Sequence, residues 1–113
     1  MTQLINLTPH DVKIVFEDGT TLNIPASGEV ARVASTNDTV GGVMTDAGTI
    51  PVKSVTYGEV TGLPDYDPDK AQYFLVSSLV AARVPDRRDV LVPGDFVRDE
   101  KGNIIGCRSL NRV

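Results

Sequence analysis

The sequence predicts a strand-dominated α+β domain of roughly eight short, mainly antiparallel strands with one short helix near residues 78–84. Three observations carry that expectation. Val, Ile, Leu and Thr supply the apolar and β-branched content while aromatics are limited to three Tyr and three Phe with no Trp, a composition that fits pleated surfaces. Brief alternating runs are punctuated by Gly, Pro and Asp. Only one segment has the cap, body and stop of a helix. At 113 residues the chain corresponds to one domain, 1–113, and a core of that size gains from oligomerisation.

In chain order, Leu4 to Leu7 reads as a strand and Thr8-Pro9-His10-Asp11 as a turn. Val12, Ile14 and Phe16 then alternate with Lys13, Val15 and Glu17, and Asp18-Gly19 turns the chain back through Thr21 to Ile24, which makes a hairpin. Val30 to Ala34 is a further strand, and the polar residues 35–42 read as a loop closing on Gly41-Gly42. Val43-Met44 and Ile50-Pro51-Val52 flank Asp46-Ala47-Gly48 as a second hairpin, with Pro51 marking a strand edge and Gly58 and Gly62 a bulge or bend. Residues 63–72 form an exposed acidic loop. Asp65, Asp67 and Asp69 alternate like the start of a calcium loop, but the glycine and glutamate that such a loop needs are absent. After a strand Tyr73 to Val76, Ser77 or Ser78 caps the helix and Pro85 stops it. Val90 to Val92, a turn Pro93-Gly94-Asp95, Phe96 to Arg98, a turn at 99–103 and Ile104 to Leu110 complete the chain.

Composition excludes several functions. A formal charge of −4 argues against a protein that tracks DNA or RNA, which needs a continuous basic surface. A single cysteine, Cys107, fits a reducing compartment and reads as a small buried hydrophobe. The start lacks the basic and apolar regions of a leader, and no stretch approaches eighteen apolar residues, so a cytoplasmic protein with no membrane partner is expected. His10, the only histidine, stands in a turn without a Ser or Cys motif beside it, and neither a zinc cluster nor a Walker loop is present. No catalytic residue, metal or cofactor is therefore expected, and the chain reads as a binding protein rather than an enzyme.

Arginine outnumbers lysine seven to four, and five of the seven arginines fall between Arg83 and Arg108. A guanidinium fork suits two phosphate oxygens at once, so clustered arginine in an acidic chain points to a compact anionic ligand. Arg83, Arg87 and Arg88 could equally pair with Asp86, Asp89 and Asp95 on a solvated face.

Ile5 to His10, Ile24 to Gly28 with Ala31-Arg32-Val33, Val76 to Ala81, Pro85-Asp86-Arg87-Arg88-Asp89, Pro93-Gly94, Val97 to Glu100 and Ile104 to Arg108 together resemble phage-encoded and prophage-encoded small proteins. They are similar in particular to the Thoeris anti-defence proteins of the first type, over most of the chain. The resemblance implies a sponge in the cytoplasm of the infected bacterium: a β-rich homo-oligomer that sequesters, uncleaved, a cyclic ADP-ribose isomer and in some members a cyclic oligonucleotide. It implies ligand-binding roles for Arg32 and Arg108, with Ser78, Arg87, Arg88, Asp95 and Arg98 from the helix-to-strand region, and a stacking aromatic among Tyr57, Phe74 and Phe96. A structural or interaction module of a phage particle and a small phosphate-ester hydrolase are the alternatives.

Overall fold

The computed structural model describes residues 2–113; Met1, the first residue of the expected domain, lies outside them. The elements are β1 (Gln3–Asn6), β2 (Val12–Val15), β3 (Thr21–Ile24), β4 (Arg32–Thr45), β5 (Gly48–Thr61), β6 (Gln72–Leu75), α1 (Ser78–Arg83), β7 (Val90–Arg98) and β8 (Ile104–Asn111). Six strands form a sheet in the order β1-β6-β7-β8-β2-β3, and β4 pairs only with β5. Pairing is mostly antiparallel, as the turn chemistry predicts. The exceptions are β1–β6 and β6–β7, which run parallel, and one parallel contact of β2 with β8 at Ile14 and Cys107.

Two apolar layers explain why the strands sit where they do. Alternation sends Phe74, Val90 and Val92 to one side of the sheet, where they pack with Leu7, Ala31 and the helix residues Val80 and Ala81. It sends Leu75 and Cys107 to the other side, against Val12, Ile14 and Ile24. With both faces of β6 covered, Phe74-Leu75-Val76 is a continuous apolar run, as two-sided burial requires. Helix α1 is held by Ser77, whose hydroxyl accepts from Val80 N at 3.4 Å, so Ser77 is the cap and Ser78 the first helical residue.

The sheet's two edge strands are stitched together by one side chain. Asn6 ends β1 and is almost wholly buried. Its Nδ2 donates to Ile24 O on β3 at 3.0 Å and to His10 O at 2.8 Å, while its Oδ1 accepts from Thr8 N at 3.0 Å and Thr8 Oγ1 at 2.6 Å. Ser27 N adds a bond to Asn6 O at 3.0 Å. The sheet therefore curls until its first and last strands meet around the Ile14–Ile24–Leu75 layer. Between β2 and β8 the backbones approach closely, because a Cβ on Gly106 would stand 2.9 Å from Val15 Cγ2 and 3.1 Å from Lys13 O.

Two expectations are corrected. Residues 35–42 are not a loop but the middle of β4, paired through Asn37 with Val55 and Thr36 with Thr56, with a register shift between Thr39 and Gly41 that leaves Val40 as the bulge. Polar residues there suit a strand that has no buried face. The expected turn at Pro93-Gly94-Asp95 is instead a kink inside β7, with Asp95 at φ 54°. The β4–β5 hairpin thus becomes a ribbon fourteen residues long on each strand, standing off the body. Overall extents of 56 × 40 × 23 Å and a radius of gyration of 17.8 Å reflect it, against about 13 Å for a compact chain of this size. The second bulge, between Val33 and Ser35 on β4 and Val60 and Tyr57 on β5, falls at Gly58 as expected.

Replacing Asn6 with Ala takes the amide donor from Ile24 O, while Thr8 Oγ1 still donates to His10 O at 2.8 Å; the loss should be about 1–2 kcal/mol, read from urea unfolding. Acid should act through the turn carboxylates. Asp11 is held below its ordinary 3.8 by hydrogen bonds from Ala26 N and Asn23, and Asp99 likewise by Asn103 N and Lys101 N. A depressed carboxylate stabilises the fold above its unfolded pKa and loses that contribution as pH falls through its folded value. The melting temperature should therefore drop as pH falls below 3.8, and Asp11→Asn with Asp99→Asn should flatten the drop.

Candidate functional site

Strands β1, β6 and β7 run in the same direction, so the residues at their beginnings come together at one rim of the sheet. Thr2, Gln72, Tyr73, Arg88 and Asp89 meet there with Tyr66, Lys70 and Arg112 around a cleft of about 390 Å³. A second groove of about 460 Å³ adjoins it and shares Thr2, Lys70, Ala71 and Gln72. The cleft combines two tyrosine rings with three cationic side chains in a chain of net charge −4. Tyr66 is about half exposed and Tyr73 is half-buried, so one ring stands open to solvent at the mouth of the cleft while the other is set in its wall.

The rim is fixed by an ion pair. Arg87 meets Asp89 with two parallel bonds, Nε to Oδ1 and Nη2 to Oδ2, both at 2.9 Å, and its Nη2 also donates to Pro64 O at 2.7 Å. Asp89 is buried, and its backbone carbonyl accepts from Phe74 N at 2.7 Å, which ties the pair to β6. The hydrogen bond to Asp89 raises the Arg87 pKa further, so the guanidinium is charged at any accessible pH. Through Pro64, Arg87 anchors the acidic loop that carries Tyr66 and Lys70 across the cleft. Asp67 shapes the same loop, accepting from Asp69 N at 3.0 Å through its side chain. Arg112 Nη2 donates to Arg88 O at 2.9 Å, which folds the last residues over the rim.

The predicted site residues do not gather in one place. Arg88 lines the tyrosine cleft with an exposed side chain, whereas Arg87 is engaged by Asp89 and Pro64. Arg32 opens β4 and lines a different cleft, of about 320 Å³, at the opposite rim with Leu7, Ser77, Leu79 and Val80. Ser78 stands beside it at the first position of α1. Arg98 Nη1 donates to Gly102 O at 3.0 Å and closes the last turn, Asp95 is exposed at the β7 kink, and Arg108 is exposed on β8. Among the aromatics, Phe74 is in the core, Tyr57 is on the ribbon and Phe96 borders an apolar cleft of about 410 Å³ with His10 and Cys107. Burial pushes the Cys107 thiol up, away from the thiolate a nucleophile requires.

Tyr66, Lys70 and Tyr73 stand within one short stretch, and nothing along the chain joins that stretch to Arg88 and Arg112, which meet it only at the folded rim. The signal available was Tyr66 and Lys70 in one Pro- and Asp-rich loop, which solubility explained equally well.

Removing Arg87 by Arg87→Ala leaves the Asp89 carboxylate buried without its partner and should cost about 2–3 kcal/mol, while Arg88→Ala next to it should change stability by less than about 0.5 kcal/mol. Thermal unfolding of the two variants side by side checks the contrast. Compared with known proteins, the chain matches no family model, no curated protein and no solved structure.

Proposed function

We propose that this protein binds a compact phosphorylated nucleotide, of the cyclic ADP-ribose type, and holds it without cleaving it. The carrying observation is the cleft in which Tyr66 and Tyr73 stand beside Lys70, Arg88 and Arg112. Tyrosine faces suit a nucleobase and the cations suit a pyrophosphate, the two chemistries such a ligand joins. Its volume falls within the roughly 300–1,000 Å³ of small-molecule sites. Two or three charge-assisted bonds at about 1.5–3 kcal/mol each and one stacked base at about 1–3 kcal/mol make a specific complex feasible.

Retention of an intact ligand is favoured by what lines the cleft. Its one carboxylate, Asp89, is occupied by Arg87, and the histidine and the cysteine border another cleft. A general base needs a free acceptor within reach of the proton it takes, and a general acid a proton it can give. The resemblance to the Thoeris anti-defence proteins supports the biological sense of such binding, in which a phage protein removes a defence signal from the cytoplasm of its host. A cyclic oligonucleotide is the other ligand of that class.

A second reading, an assembly module of a phage particle, is favoured by the exposed β4–β5 ribbon. Calorimetry with cyclic ADP-ribose isomers separates the two, since an assembly module binds none of them. Arg88→Ala and Arg112→Ala should each weaken binding by about 1.5–3 kcal/mol. Loss of affinity in Arg32→Ala or Arg108→Ala with no loss in those two would move the site to the residues that the resemblance implies. Heat-denatured complex should release a ligand of unchanged mass, and a cleaved product would sink the sponge reading in favour of a hydrolase.

A further inference from the structure

We infer that the groove beside the tyrosine cleft is a sugar subsite, and that cleft and groove together take an open-chain nucleoside diphosphate sugar. The base lies on the tyrosines, the diphosphate at the rim, and the sugar hydroxyls on Thr2, Gln3 and Gln72. This rests on the nucleotide reading of the cleft and extends it to a part of the surface that a compact cyclic ligand leaves unused.

The groove holds about 460 Å³ and the cleft about 390 Å³. Each alone lies near the lower end of the roughly 300–1,000 Å³ of small-molecule sites, so one base with its phosphates occupies the cleft without reaching into the groove. The two join at the starts of β1 and β6, where Thr2, Lys70 and Gln72 border both. Tyr73 borders only the cleft and Gln3 only the groove. Gln3 is level with Gln72, one residue before Tyr73, and successive side chains of a strand point to opposite faces. The path from cleft to groove therefore turns round the end of the strands. A diphosphate bridge turns such a corner because its P–O bonds rotate, and Lys70 stands there with a charge for it.

The lining selects what enters the groove. Its walls are Thr2, Gln3, Lys70, Ala71 and Gln72. They offer no aromatic face to a second base. The one cation is shared with the cleft, so a further phosphate finds none of its own, and Ala71 alone is too little apolar surface for an acyl chain. Two carboxamides and a hydroxyl remain, each both donor and acceptor. A sugar ring presents the complementary surface, hydroxyls that give and accept hydrogen bonds. The sheet holds the carboxamides side by side: Gln3 and Gln72 are partners on parallel strands about 4.8 Å apart, and Gln3 N donates to Ala71 O at 2.8 Å. Such a pair brackets adjacent hydroxyls of one ring. Thr2 and Gln3 are exposed and Gln72 is half-buried, which leaves their polar atoms open to a ligand.

Calorimetry of the full chain with two open-chain probes tests the subsite. ADP-ribose and the ADP ester methylated on its terminal phosphate share base, diphosphate and charge, and differ in the distal ribose. ADP-ribose should bind about tenfold or more tightly, as two neutral hydrogen bonds would give. Gln3→Ala and Gln72→Ala should each cut that preference to below about threefold. Only the ratio is read, so a loss common to both ligands does not count. Should a variant fail to fold, NMR of the unmodified chain decides: the Gln3 side-chain amide signals should move with ADP-ribose and stay with the methyl ester. Equal affinity for the two probes, a preference that survives both substitutions, or Gln3 signals that answer the two probes alike overturns the subsite alone. If neither probe nor cyclic ADP-ribose binds, the nucleotide reading fails and takes the subsite with it.

Discussion

The constraint on which the body depends is the closure of a six-stranded sheet by Asn6. Strands β1 and β3 lie at opposite ends of the strand order, yet Asn6 Nδ2 reaches Ile24 O at 3.0 Å. A buried amide with both ends satisfied resists rearrangement, because every alternative leaves a polar group in the core without a partner. The closure gives the sheet an inside, filled by Val12, Ile14, Ile24, Leu75 and Cys107, and an outside, covered by α1. It also protects two edges that would otherwise be open to pairing with other chains.

From that closure the position of the cleft follows. The three parallel strands start at one rim, and the segments that lead into them carry Tyr73, Arg88 and Asp89. Charge is divided there between two tasks. Arg87 is spent on Asp89 and Pro64, which holds the Tyr66 loop in place, while Arg88 and Lys70 are left to face solvent. Adjacent arginines thus have opposite fates, set by whether each side chain points toward the buried carboxylate or away from it.

Local signals were legible where the chemistry is local. The Asp18-Gly19 hairpin, the Ser77-capped helix and the tip at Asp46 to Gly48 stand where turn and cap residues place them. Parallel pairing of β1 with β6 was not legible, because Gln3–Asn6 and Gln72–Leu75 meet across most of the chain without any turn between them. The ribbon's length was hidden for a different reason. Ser35 to Asp38 contact no core, so no alternation marks them, and polar strand and polar loop look alike. The Arg-rich segment was legible as a cluster but not as a site, since spacing along the chain does not tell which guanidinium is already engaged. Tyr66 and Arg112 needed the folded rim to become neighbours at all.

The ribbon also bears on how the chain finds its fold. Its ends are adjacent: Ala31 N donates to Leu7 O at 3.0 Å, and a Cβ on Gly62, at φ 80°, would stand 2.6 Å from Val30 O. Between those ends lie about thirty residues that the body must bridge before β1 can meet β6. A hairpin zips from its own turn in about 1–10 μs and brings its two ends together. For the rest of the chain the insertion then behaves as a connection of a few residues, which lowers the entropic cost of the long-range pairing by about 0.5 kcal/mol. The longest element of the protein thereby makes its topology shorter.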